Sequence, residues 1–303
     1  MAEEGKKPGF VKGLNHVPGK KVHDIGKAGR SIEQQIEDVK REGMQMTPGV
    51  LRNSIIGGLE IRRWRGNAEN VVIIGCACFG TALPLRSFCL LMQRLGIKYV
   101  FLEKEYCCGA PMLHQVLLDG EDRTHVDEAS REFTAMNIEL CRAKGAKNII
   151  YFCPWCIYIA RRFFPDDSSL IFYPDILARH IDAVKMRLPG RIGYFGGSPH
   201  RKAIYDPSES FDLDWDQFQT LLGKVEGLEV VNIPRYCCQV QPQLIFDRAR
   251  KEGLSAIVTS CVVCYGRLMR IAPPDIAIRY VTDVLLEAID PASVVDPDLV
   301  QSL

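Results

Sequence analysis

The chain has 303 residues, of which 47% are apolar and 25% are charged, and its formal net charge is +1. This is the balance of an ordinary globular protein, and a charge near zero argues against general attraction to nucleic acid. The longest apolar runs, such as VVIIGCACFG, are too short to cross a bilayer, so no membrane span is expected. The N-terminus, MAEEGKKPGF, has no apolar signal region, which predicts a cytoplasmic location.

The first 69 residues contain none of the twelve cysteines of the chain. Glycine and proline recur near the start, so we expect an N-terminal arm with short helices. SIEQ, from Ser31, fits a capping box and predicts one helix. GVLRNSIIGGLEIRRW predicts a second. We expect the arm to pack on its own domain or on a partner.

Residues 70–189 alternate between strand-like and helix-like segments, which favours parallel α/β units. The predicted strands are 71–75, 98–102, 148–152 and 169–173. The predicted helices are 83–96, 126–145 and the segment PDILARHIDAVKM.

Residues 190–303 repeat this pattern, which indicates an internal duplication. Cys156 precedes Asp175 by 19 positions, and Cys264 precedes Asp283 by the same distance. The second copy is shorter between its cysteine elements and lacks the equivalent of LLDGEDRTHVDEAS. We therefore predict an α/β fold with two similar halves, each with a short parallel sheet, in pseudo-twofold relation, plus the N-terminal arm.

Cysteines follow the predicted strands of the first half. In a parallel sheet the carboxyl ends of the strands meet at one edge, so residues distant in sequence converge there. Gly109 permits a sharp turn that could direct two neighbouring sulfurs to one centre. Five thiolates exceed the four ligands of zinc and of an ordinary cubane cluster, which favours a larger or opened cluster. These cysteines are Cys76, Cys107, Cys108, Cys153 and Cys156.

Other residues are weaker candidates. Cys78 is an alternative to Cys76, whereas Cys89 and Cys141 lie in predicted helices and are expected to pack in the core. CPWC also resembles a thioredoxin-type dithiol. His114, His125 and His180 are expected at the surface or at helix caps.

The order Cys76, Cys107-Cys108-Gly109, Cys153-x-x-Cys156 resembles the duplicated cysteine-rich CCG domain that defines the catalytic subunit of heterodisulfide reductase and its relatives. The resemblance extends over about residues 71 to 290. It implies a non-cubane [4Fe–4S] cluster bound and used catalytically by the five first-half cysteines, and thiol–disulfide redox chemistry at it. Relatives include subunits of lactate- and glycolate-oxidising complexes and the heterodisulfide-reductase-like system of sulfur oxidisers.

The second half departs from this pattern. Ser198 stands where the family has a cysteine, with His200 two residues beyond it, and Gln239 replaces the glycine. Four thiolates suit a conventional iron–sulfur cluster or a zinc ion. The four are Cys237, Cys238, Cys261 and Cys264.

The sequence thus predicts an oxidoreductase: an iron–sulfur subunit of a heterodisulfide-reductase-like complex. Its substrate would be a small thiol, a disulfide or a protein-bound sulfur such as a persulfide. No flavin motif or C-x₂-C-x₂-C-x₃-C ferredoxin motif is present, so an iron–sulfur partner subunit is expected to exchange electrons with it. The alternatives are a subunit of a hydroxy-acid oxidation complex and a zinc-stapled structural subunit.

Overall fold

The computed structural model of this protein describes residues 30–44, 49–59, 61–62, 64–76, 82–197, 213–238 and 241–293. Within these ranges, no helix has both the length and the apolar character needed to cross a membrane.

The first half is a four-stranded parallel sheet with the strand order β2-β1-β3-β4. Buried Val and Ile residues fill its central strands, as expected for a sheet covered on both faces. Its strands are β1 Asn70–Ile73, β2 Val100–Phe101, β3 Asn148–Tyr151 and β4 Leu170–Phe172. Its helices are α3 Ala82–Arg94, α4 Ala110–Asp119, α5 Thr124–Ala143, α6 Pro154–Phe163 and α7 Tyr173–His180.

The second half repeats this order, as β6-β5-β7-β8, and is again entirely parallel. The predicted α/β class and the two similar halves are therefore confirmed. Its strands are β5 Arg187–Phe195, β6 Glu226–Asn232, β7 Ala256–Thr259 and β8 Ala277–Tyr280. Its helices are α8 Asp216–Gly223, α9 Pro242–Lys251, α10 Val262–Met269 and α11 Val281–Ile289.

Two helices form the described part of the N-terminal arm, α1 Ile32–Glu42 and α2 Gly49–Gly58. The predicted capping box is present: Ser31 Oγ accepts from the Gln34 amide at 3.2 Å, and the Ser31 amide donates to Gln34 Oε1 at 2.9 Å. The predicted second helix forms but ends at Gly58, where a pair of glycines disfavours continuation.

Helix α4 is absent from the sequence-based expectations. It begins directly after Gly109, whose φ of 80° is left-handed, and it ends at Gly120, whose φ is 73°. Pro111 in its first turn and a glycine just past its end are ordinary helix signals. Among the described residues, only α9 lies between Cys238 and Cys261, where the first half has both α4 and α5, so the predicted shortening of the second half is confirmed.

The last helix of each half packs against a helix of the other half. Helix α11 packs on α3 of the first half, and α7 packs on α8 of the second half. Tyr173, which begins α7, and Tyr280, which ends β8, meet between them, with their hydroxyl oxygens 3.3 Å apart. Ser87 and Thr282 hydroxyls, 2.7 Å apart, add a second contact across the junction. The predicted pseudo-twofold relation follows from these paired contacts. The division at residues 69 and 189 stays a prediction, and β5 crosses its second boundary.

Phe152 lies at the centre of this junction. Its ring contacts those of Phe88, Tyr173 and Tyr280 at centroid distances of 4.9, 5.1 and 5.9 Å. Phe152→Ala should lower the free energy of unfolding by about 3–5 kcal/mol, because a buried aromatic side chain and its packing are lost. Chemical denaturation measures this change.

Leu140→Ala is the control, because Leu140 is 38% exposed on α5. It should change stability by less than about 0.5 kcal/mol. Equal losses in both variants would contradict a central role for Phe152.

Candidate functional site

The five first-half cysteines converge at the carboxyl edge of the first sheet. Cys76 follows β1, Cys107 and Cys108 occupy the loop after β2, and Cys153 caps the N-terminus of α6, with Cys156 in its first turn. Because β1 lies between β2 and β3 in the sheet, the three loops are neighbours. All five side chains are at most 5% exposed.

The five sulfurs form an unbroken chain of contacts. Cys76 Sγ lies 3.3 Å from Cys107 Sγ, and Cys108 Sγ lies 3.4 Å from Cys156 Sγ. Side-chain hydrogen bonds also join Cys107 to Cys108 and Cys153 to Cys156. The vicinal cysteines thus link the β1 loop on one side to the α6 turn on the other.

This crowding favours the protonated thiols. The hydrogen bond to Cys107, followed by burial, raises the pKa of Cys76 and of Cys108 well above the usual value. The hydrogen bond to Cys108 is the largest cause of the raised pKa of Cys156. A thiolate at this site therefore requires a cation, since cluster or metal binding replaces the protons.

Gly75 provides the space that the thiols occupy. A Cβ at this position would lie 2.7 Å from Cys153 Cβ and 2.8 Å from Cys156 Sγ. The φ of Gly75 is 83°, a left-handed backbone conformation that residues with a side chain rarely adopt. At Gly109 a Cβ would collide with Ser130 Oγ on α5. Gly75 therefore lets the backbone come close to the sulfurs, and Gly109 lets the loop of the vicinal cysteines come close to α5.

A buried ion pair fixes the loop that carries Cys76. The Glu105 carboxylate accepts from Arg52 Nη2 at 2.6 Å, and it also accepts from the Ile74 and Gly75 amides at 3.1 Å. The Arg52 and Glu105 side chains are 2% and 0% exposed. Removing two charges from water is unfavourable unless their hydrogen bonds are satisfied, and the two amides help to satisfy those of the carboxylate.

Two further contacts fix the loop that carries the vicinal cysteines. The Asn137 side chain accepts from the Tyr106 amide at 2.8 Å and donates to the Tyr106 carbonyl at 2.7 Å. The Cys107 amide donates to the Gly43 carbonyl at 2.6 Å. The arm therefore packs on its own domain and contacts the loop that follows β2, through Gly43 and Arg52.

Sequence reasoning missed these supporting residues. Arg52 and Glu105 are charged, and nothing in their local patterns marks them as buried. The one sequence signal for a role in the site is the position of Glu105, two residues before Cys107.

The second half brings its cysteines to the equivalent edge. Cys261 caps α10, and Cys264 Sγ lies 3.4 Å from Cys238 Sγ. Cys237 and Cys238 follow β6, and all four cysteines are buried. Cys78, Ser198, His200 and Gln239 lie outside the described residues.

The remaining candidates lie in helices. Cys89 is fully buried in α3, and burial raises its pKa to about 12. Cys141 is fully buried in α5, and burial likewise raises its pKa. His114 packs its ring edge-on against Trp155, at a centroid distance of 6.5 Å. His125 approaches Glu33 at 3.8 Å, and His180 ends α7.

Comparison with known proteins finds a family match within the first half. Residues 71–159 match the CCG family, described as a cysteine-rich domain. This range contains all five cysteines of the sulfur chain. Residues 71–159 are therefore similar to the CCG cysteine-rich domain, and the resemblance predicted from the sequence is confirmed over this range.

Its curated relatives include one of the subunits of dihydromethanophenazine:CoB–CoM heterodisulfide reductase. The Methanosarcina barkeri protein is 31% identical over 100 residues, and the Methanosarcina mazei protein is 30% identical over the same length. Each match covers 32% of this chain and 23% of the relative. The match thus spans less than a quarter of the length of these relatives.

Among solved structures, an aspartate racemase homologue from Pyrococcus horikoshii is 12% identical to the chain. The alignment covers 75% of this chain and 99% of that one, with a TM-score of 0.33. A TM-score this low supports no inference about function.

The residues of the sulfur chain fit an iron–sulfur cluster. The donors are soft thiols in a buried site. Two buried hydroxyls nearby, on Ser130 and Tyr151, have no hydrogen-bond partner in the described part of the chain. Burial, with smaller contributions from Cys141, Cys156 and Cys108, raises the pKa of Tyr151. Hydrogen bonds to sulfur are among the interactions that tune such clusters, and these hydroxyls could donate them.

A single metal ion fits less well. Among the described residues, no three His, Cys, Asp or Glu side chains are grouped as ligands of one ion. The first-half thiols contact one another directly. This arrangement gives no support to a mononuclear zinc site there.

Gly75→Ala should remove metal from the first half, because the new methyl group would overlap Cys153 and Cys156. The left-handed backbone adds strain of about 1–2 kcal/mol. Metal content of the anaerobically purified variant measures the effect.

Gly96→Ala is the matched control. Gly96 also has a left-handed φ, of 71°, but a Cβ there would meet nothing within 4 Å. It should lose stability through strain and keep its metal. Equal metal content in the two variants would contradict the role of Gly75.

Proposed function

We propose that this chain is an iron–sulfur redox subunit that acts on sulfur substrates, with a non-cubane [4Fe–4S] cluster in its first half. The unbroken chain of five buried thiols carries this proposal. Five thiolates exceed the number that zinc or a cubane cluster takes. The relationship to the heterodisulfide reductase subunits of Methanosarcina supports thiol–disulfide chemistry as the reaction class.

The ligands would be Cys76, Cys107, Cys108, Cys153 and Cys156. When bound, the cluster would supply single-electron redox chemistry and a soft iron suited to sulfur. The protein surrounds this position with apolar residues and excludes water, which strengthens electrostatic interactions at the site. Gly75 allows the backbone to approach the sulfurs closely, and the Ser130 and Tyr151 hydroxyls would provide donors for sulfur.

The net reaction couples one disulfide, two electrons and two protons to two thiols, and it can run in either direction. The electrons must enter or leave through another protein, since the sequence contains no flavin or ferredoxin motif. We propose an iron–sulfur partner subunit for this role, in a heterodisulfide-reductase-like complex. The eleven described cysteines are all free thiols, which supports a reducing, cytoplasmic location.

Cys108→Ala tests the proposed ligands. It removes the central sulfur of the chain, so the purified protein should lose iron and acid-labile sulfide from the first half. Both are measured after purification without oxygen, together with the visible absorption spectrum.

Cys89→Ala is the control for cysteine loss. Cys89 is buried away from the β1 loop, in α3, so this variant should keep its iron and lose only about 1–3 kcal/mol of stability. A wild-type protein that is colourless and contains only zinc would contradict the proposed function and favour a structural role.

We propose further that the two halves hold different centres. The second half has four cysteines in place of five, and a single described helix, α9, replaces the two helices over the first site. A hydroxyl is a poor ligand for iron–sulfur clusters, so Ser198 should not replace Cys76. The second centre would be a simpler cluster that transfers electrons, or a structural zinc.

Cys107→Ala and Cys237→Ala separate the two centres. Each variant should lose one set of spectroscopic signals, and the two sets should differ. Electron paramagnetic resonance and metal analysis of each variant measure this. Two identical five-thiolate clusters, one lost in each variant, would contradict the proposed difference.

A further inference from the structure

The ion pair between Arg52 and Glu105 adjoins the first-half cysteine site. The Glu105 carboxylate accepts from the amides of Ile74 and Gly75, and the next residue is Cys76. Glu105 also precedes Cys107 by two residues. One carboxylate therefore contacts or adjoins both loops that present cysteines from β1 and β2.

The second half has no carboxylate at the matching position. The matching sequences are EYCC in the first half and RYCC in the second, so Arg235 takes the place of Glu105. Arg235 is exposed, whereas the Glu105 side chain is fully buried. A duplicated fold thus builds its cysteine loop without this carboxylate. The pair is therefore specific to the five-thiol site and not a requirement of the loop.

Charges in this environment act strongly on a redox centre. A buried charge is screened far less than one in water. Reduction adds negative charge to an iron–sulfur cluster, and the local charge and hydrogen bonding set its potential. Arg52 and Glu105 are opposite charges whose oxygen and nitrogen lie 2.6 Å apart, so their fields largely cancel while both are present.

We propose that Glu105 and Arg52 are positioning residues that set the reduction potential of the first-half centre. Glu105 orients the Cys76 loop and places a negative charge beside it. Arg52, from the N-terminal arm, balances that charge. This inference rests on the proposed iron–sulfur function and adds to it a role for the arm.

The test compares the potentials of three variants in the full-length protein with its centres loaded. Glu105→Gln keeps the shape of the side chain and an oxygen acceptor, and it should shift the potential to a more positive value. Arg52→Met leaves the carboxylate unbalanced and should shift the potential to a more negative value. The double variant removes both charges, so its potential should return towards that of the wild type. Equilibration at controlled potentials, followed by electron paramagnetic resonance, gives each value.

Arg250→Met is the matched control, because Arg250 pairs with Asp275 at the surface, at 2.9 Å. It should leave the potential unchanged. Arg52→Lys keeps the charge without the planar fork, and it should retain the wild-type potential.

Shifts of opposite sign in the single variants, cancelled in the double variant, would establish the proposal. Shifts of one sign in all three, or none with the iron retained, would overturn it. Failure of Glu105→Gln to fold would also overturn it, since the pair would then serve the fold alone. Absence of iron from the wild type would instead show that the proposed function itself is wrong.

Discussion

A buried carboxylate needs partners, and at Glu105 these partners hold the first-half site together. Arg52 comes from the N-terminal arm, and the Ile74 and Gly75 amides come from the end of β1. Gly75 in turn lies against Cys153 and Cys156. Three separate parts of the chain therefore meet through one side chain. This contact fixes the Cys76 loop of the first half, whereas the second half forms its cysteine loop with Arg235 in place of Glu105.

Much of this architecture could be predicted from the sequence. Alternating apolar segments predicted the strands, and the equal spacing from Cys156 to Asp175 and from Cys264 to Asp283 predicted the duplication. Cysteines at the strand ends predicted that the five thiols converge, as the structure shows, while their role as ligands stays a prediction. These inferences succeed because periodicity and spacing are local properties of the chain.

The rest depends on contacts between distant segments. Arg52 and Glu105 are separated by 53 residues, and their burial could not be inferred from either neighbourhood alone. Helix α4 is short, and its signals lie at its ends, with Pro111 in the first turn and Gly120 just past the last residue. The position of Ser130 against Gly109 likewise depends on how α5 packs.

The reciprocal packing of the last helix of each half on the other half also bears on the origin of the chain. Phe172 and Tyr280 hold equivalent positions in the two sheets, and Tyr173, the residue after Phe172, contacts Tyr280 at the junction. In a symmetric homodimer each contact between two segments occurs twice, as do the contacts of α11 with α3 and of α7 with α8. The junction has the form of such an isologous interface, now joined into one polypeptide. Once two copies are fused, each can change separately, which the identical chains of a homodimer cannot do. Glu105 and Arg235 illustrate this, because they stand at matching positions of the two halves and carry opposite charges.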